Sequence, residues 1–150
     1  MKRIRVAGLV EMENGYALMH RMNVKKKENS NAPYGEYYVF PGGGMEEEDN
    51  NLQEAAEREI LEEFGIKVKA GEILYSRKIE NELEEYVLKC EYIEGTFGTG
   101  EGPEFSGDPA YADRGSYLPE KVEKENIKKI RLLPEEFKEK FVEDIEKNNI

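Results

Sequence analysis

The chain has 150 residues, 38% of them hydrophobic and 37% charged in mixed sign, which suits one soluble domain with one core. Its net charge of -11 argues against a nucleic-acid polymer as partner, and no apolar run is long enough for a membrane span. Cys90 is the only cysteine, which excludes an internal disulfide and a cysteine-based zinc site; a reducing, cytoplasmic setting is expected.

Arg3 to Met12 alternates loosely and runs into Glu13-Asn14-Gly15, where Asn-Gly favours a tight turn; Tyr16 to Met22 then reads as the return strand. Asn23 to Glu36, with Lys25-Lys26-Lys27, Pro33 and Gly35, reads as an exposed loop. Tyr37 to Phe40 is a short strand stopped by Pro41, and Gly42-Gly43-Gly44, taken alone, reads as a turn. Leu52 to Phe64 has helical spacing, with Asn51 as N-cap, Glu54 placed for a capping box, and Gly65 placed to end the helix. Ile66 to Glu80 and Glu84 to Ile93 are two strands long enough to bend or carry a bulge. A glycine-rich loop, 95–115, separates them from a last strand at Tyr117 to Val122. Glu135 to Lys147 is an amphipathic terminal helix with Phe137, Phe141, Val142 and Ile145 on one face. The order predicts an α/β fold, a mixed sheet covered by helices, with no linker dividing the chain.

The helix over 52–64 carries the chemistry. At about 100° per residue, Glu59, Glu62 and Glu63 share an arc of about 100° beside the apolar stripe Leu52, Ala56, Ile60, Phe64. Glu54 and Glu57 point further out, as ordinary solvated acids. Three close carboxylates repel, and a divalent cation would relieve them; hard oxygen ligands at i, i+3 and i+4 suit Mg²⁺ or Mn²⁺. The helix by itself reads more readily as a solvated acidic face with Arg58 paired to a neighbour. The glycine run before it decides between the two, because together they form a specific pattern.

The run Gly44-x5-Asn50-x7-Arg58-Glu59-Ile60-x-Glu62-Glu63-x-Gly65-Ile66 resembles the Nudix box, approximately 43–66, and the flanking strands and helix resemble the Nudix α/β/α sandwich. The first glutamate of the box is Asn50 here; an alternative register starts at Gly43 and puts Asp49 there, with one extra residue before the helix. The resemblance, of MutT-like type, implies Mg²⁺-dependent hydrolysis of a pyrophosphate bond in a nucleoside diphosphate-linked small molecule, with Mn²⁺ as substitute. By position it makes Glu59, Glu62 and Glu63 the metal ligands and Arg58 the residue that orients them. Gly42, Gly43 and Gly44 become the loop packed on the helix. The general base falls to Glu62 or Glu63, or to a later loop acid such as Glu101 or Glu104.

The window 16–18 residues after the box glycine holds Asn81, Glu82 and Leu83, so neither the proline nor the tyrosine that marks some subgroups is present. Elimination leaves nucleoside triphosphates, oxidised ones included, as the expected substrates. Nucleotide sugars, ADP-ribose and dinucleoside polyphosphates are the alternatives, together with a non-catalytic nucleotide-binding module or an acidic, cation-binding interaction protein. His20 reads as a packed or surface histidine, at least one of Tyr37 and Tyr38 as core, and Tyr34 as a residue able to stack on a base. The sequence leaves the oligomeric state open, a homodimer included.

Overall fold

A computed structural model describes residues 2–13, 15–100 and 114–150. Its elements run β1 (Arg3–Met12), β2 (Gly15–Val24), β3 (Gly35–Val39), β4 (Gly42–Gly44), α1 (Leu52–Phe64), β5 (Ile66–Ile79), β6 (Leu83–Gly95), β7 (Ser116–Val122), a 3₁₀ helix (Lys124–Lys129), β8 (Leu132–Leu133) and α2 (Glu135–Glu146). Among the described residues eight strands form one mixed sheet in the order β5-β6-β1-β2-β3-β8, with β4 added on β1 and β7 on β2. The β1–β6 and β3–β8 pairs are parallel and the others antiparallel.

The sheet is covered on both faces, so the central strands are apolar on both sides. In β1, Val6 and Val10 pack with Ala55, Ala56, Ile60 and Phe64 of α1. The intervening Ala7 and Leu9 join Phe137 and Phe141 of α2. Ala17 and Met19 of β2 face α1, while Tyr16 and Leu18 face α2. Period-two alternation therefore divides one strand between two cores.

Several elements differ from the sequence reading. The glycines 42–44 form a strand on β1 rather than a turn; at Gly42 the missing Cβ lets the backbone lie flush against Val6 and Ala7. The 3₁₀ helix and β8 are too short to leave a periodic signal; Ile127 and Leu132 nevertheless bury completely in the α2 core. The strand expected at Tyr37 to Phe40 starts earlier, at Gly35, and ends at Val39. The expected bulges are present in β5, with register shifts at Lys67/Val68, Ala70/Ile73 and Ile73/Tyr75. No helix among the described residues is long and apolar enough to cross a membrane.

Candidate active site

Asn51 starts α1 by accepting from the Glu54 N–H at 2.8 Å. Glu54 reaches back to Asn50, not to the cap's own N–H, so the capping box is displaced by one residue. Gly65 closes the helix in the left-handed region, φ 74°, and the Gly98 N–H caps the Phe64 carbonyl at 2.9 Å. The helix is thereby fixed at both ends, with its acidic edge against β4.

Arg58 is the hub of that edge. Its Nε and Nη2 donate side-on to Asp49, at 3.1 and 2.8 Å. Nη2 also reaches the Gly44 carbonyl at 3.2 Å, and Nη1 lies 3.0 Å from Glu59 and 3.4 Å from Glu62. The Asp49 side chain is only 5% exposed and accepts the Glu46 N–H as well, and the Arg58 bonds hold its carboxyl below the usual carboxylate range. Asn50 is exposed and pairs with Glu54 instead. The local geometry thus follows the register that begins at Gly43, with Asp49 as the acid that meets Arg58.

The three expected ligands occupy different surroundings. Glu59 packs against the glycine strand: a Cβ on Gly43 would stand 2.5 Å from the Glu59 carboxyl carbon. Burial pushes the Glu59 carboxyl up, and the bond from Arg58 pulls the other way. Glu63 is 8% exposed, and its Oε1 accepts the Gly42 N–H at 2.7 Å. Glu62 is the open member, with its side chain 44% exposed. The three share one helix edge but do not meet at a point, and among the described residues no group of three or more acidic, histidine or cysteine side chains is gathered closely enough to hold an ion. With one guanidinium among three like charges, each carboxylate turns to a nearby N–H donor instead of to its neighbours. Glu57 differs from its expected solvated role, since it accepts the Ala70 N–H at 2.9 Å where β5 bulges. Glu101 and Glu104 lie outside the described residues.

A cleft of about 1130 Å³ opens beside this edge, and its walls include Gly44 and Asp49, two of the partners of Arg58. Arg5, Arg21, Arg77 and Arg131 also line it, a concentration of cations in a chain of net charge -11. Tyr37 is buried in its wall with the Arg21 and Arg131 guanidiniums 5.8 and 5.7 Å from its ring. These arginines give no periodic sequence signal; only the strand registers bring them to one cleft. Tyr38 stacks on His20 at 4.1 Å, and His20 Nε2 lies 2.6 Å from Glu36, so His20 is a packed histidine. Lys25 to Lys27 are exposed, as is Tyr34.

Comparisons with known proteins agree with this arrangement. The NUDIX domain model matches residues 1–138. Among solved structures, a MutT protein from Methanosarcina mazei Go1 aligns at 23% identity and TM-score 0.62, over 99% of this chain and 95% of its own. A MutT structure from a study of Aliivibrio salmonicida and Vibrio cholerae aligns at 17% identity and TM-score 0.66, over 96% and 99%. An ADP-ribose pyrophosphatase from Streptococcus suis aligns at 11% identity and TM-score 0.64, over 100% and 94%. At such identities these structures show a shared fold. A search of curated proteins finds no match. With the family model covering nearly the whole chain and the acidic helix, glycine strand and mixed sheet in place, the chain belongs to the Nudix family of pyrophosphohydrolases, which act on nucleoside diphosphate-linked substrates.

Proposed function

We propose that the protein hydrolyses a pyrophosphate bond in nucleoside triphosphates, oxidised ones included, with Mg²⁺ as its ion and Mn²⁺ as substitute. The observation that carries this reading is the juxtaposition of an arginine-lined cleft with the acidic edge of α1. The donor chemistry suits a hard divalent ion: Glu59, Glu62 and Glu63 supply only carboxylate oxygens, and the missing Cβ of Gly43 lets the Glu59 carboxylate lie against the glycine strand. A bound divalent ion supplies charge neutralisation of the pyrophosphate and a more acidic water.

The chain's own residues do the rest. Arg58 keeps Glu59 and Glu62 on one edge through its Nη1. Asp49 holds Arg58 side-on, so the guanidinium cannot swing towards the substrate. The half-exposed Glu62 is free to take a proton from an attacking water, whereas Glu63 is tied to the Gly42 N–H. Arg21 and Arg131, both close to the Tyr37 ring, give the cleft a cationic wall for the nucleotide. Nucleotide sugars, ADP-ribose and dinucleoside polyphosphates form the alternative substrate class.

The test is a panel of nucleoside triphosphates, nucleotide sugars, ADP-ribose and dinucleoside polyphosphates assayed with Mg²⁺ or Mn²⁺. Preferential turnover of triphosphates supports the proposal. Preferential turnover of another class moves the substrate, and turnover of none in the presence of metal contradicts the activity in favour of a nucleotide sensor.

A further inference from the structure

Arg5, Glu85 and Arg77 form a row across three neighbouring strands. The β1–β6 register sets Arg5 opposite Glu85, and the β5–β6 register sets Arg77 opposite the same residue. On its other side Arg5 lies opposite Gly44 of β4, so the row begins at the glycine strand. Glu85 is 6% exposed, yet all three side chains belong to the cleft wall. Its Oε1 accepts from Arg77 Nε at 2.8 Å, and its Oε2 lies 3.3 Å from Arg5 Nε. Arg5 Nη2 donates to the Phe40 carbonyl at 3.2 Å, and Arg77 Nη1 reaches the exposed Glu136 of α2 at 3.4 Å. These bonds use neither Nη1 of Arg5 nor Nη2 of Arg77.

One buried carboxylate is neutralised by one guanidinium, usually through two parallel bonds. Here two guanidiniums share it, each holding it by Nε, and the second positive charge is met only by the exposed Glu136, which leaves spare donors in the cleft. Arg5 and Arg77 flank Glu85 from the two neighbouring strands, so their unused terminal nitrogens stand on either side of one buried carboxylate. An anionic group entering the cleft would use the spare donors that Glu85 leaves unoccupied.

The geometry points to an oxyanion subsite, with Arg5 and Arg77 as donors and Glu85 as the positioning residue between them. It accepts an anionic group that the substrate carries beyond the bond that is cleaved: the terminal phosphate of a nucleoside triphosphate or a carboxylate on a nucleotide sugar. The subsite rests on the pyrophosphohydrolase reading above, because it presupposes a nucleotide in this cleft.

Binding of UTP, UDP-glucuronate and UDP-glucose to the full chain in EDTA, measured by titration calorimetry, tests it without turnover. UTP or UDP-glucuronate binds about tenfold tighter than the neutral UDP-glucose, the size expected of one charge-assisted hydrogen bond. Whichever of the two shows the preference identifies the source of the oxyanion. Arg77→Gln abolishes the preference while UDP-glucose affinity stays within about twofold, Arg77→Lys keeps part of it, and Glu136→Gln keeps all of it. Glu85→Gln, which preserves shape but not charge, lowers the preference ratio. Equal affinity for all three ligands in the wild type, or an equal loss for all three in Arg77→Gln, would overturn the subsite alone. Binding of none would overturn the placement of any nucleotide in this cleft, and the metal-dependent panel then shows whether the activity falls with it.

Discussion

Gly43 and Gly44 are adjacent and chemically identical, yet their surroundings separate them. A methyl group on Gly43 meets the Glu59 carboxylate, whereas one on Gly44 meets nothing within 4 Å. Gly43→Ala is therefore expected to lower kcat by at least about tenfold through displacement of Glu59, and Gly44→Ala to leave it within about twofold. Steady-state kinetics of the pair checks this; equal effects would contradict the contact. Asp49 and Asn50 pose a second comparison. Asp49→Asn is expected to lower Tm by several degrees at neutral pH and to reduce activity, and Asn50→Ala to do neither. Because the folded-state pKa of Asp49 is depressed, its ionised form favours folding. The stability gap between wild type and Asp49→Asn is then fully present above about pH 4 and closes as pH falls through the folded value. Denaturation followed against pH reads this directly, and a gap that widens in acid would refute the assignment.

At the scale of the element, α1 was legible in the sequence because its signals are local: Asn51 at one end, Gly65 at the other, and a four-residue apolar spacing between them. Gly65 has φ 74°, and a Cβ there would collide with Thr99, so Gly65→Ala is expected to cost more than about 1 kcal/mol in chemical denaturation. A neutral substitution would mean that the helix end is not held as described. What the sequence did not disclose depends on partners far along the chain. Glu57 reads as a solvated acid until the bulge of β5 brings the Ala70 N–H to it. Glycines 42–44 read as a turn until β1 supplies a strand for them to pair with. The first acid of the box was ambiguous by one residue, because spacing along a loop does not determine which side chain folds under Arg58. The arginine wall was invisible for the same reason: Arg5, Arg21, Arg77 and Arg131 share a cleft only once four strands and the segment before β8 are in register.

Over the whole molecule, one mixed sheet separates two cores that serve different ends. The α1 core holds the acidic edge against β4, and the α2 core closes the opposite face around Phe137 and Phe141. Phe141 is fully buried, 4.9 Å from the Tyr16 ring and 5.6 Å from that of Phe40. Phe141→Ala is expected to cost about 3–5 kcal/mol in stability. Because its core lies across the sheet from α1, kcat of the remaining folded protein should change little, and a large loss of kcat with little loss of stability would contradict that division. The charge pattern follows the same plan: acid excess over the surface, arginines gathered in the cleft, and carboxylates at its edge.

The central claim is that the acidic edge of α1 is the catalytic metal site, and Glu63→Gln tests it most directly. The substitution keeps an amide oxygen to accept the Gly42 N–H, so the fold is expected to survive while the charge is lost. Metal-dependent hydrolysis of the best substrate in the panel, measured beside Tm for the wild type and Glu63→Gln, should show kcat reduced by at least about a hundredfold with Tm nearly unchanged. Near-normal turnover in a folded Glu63→Gln protein would contradict the account.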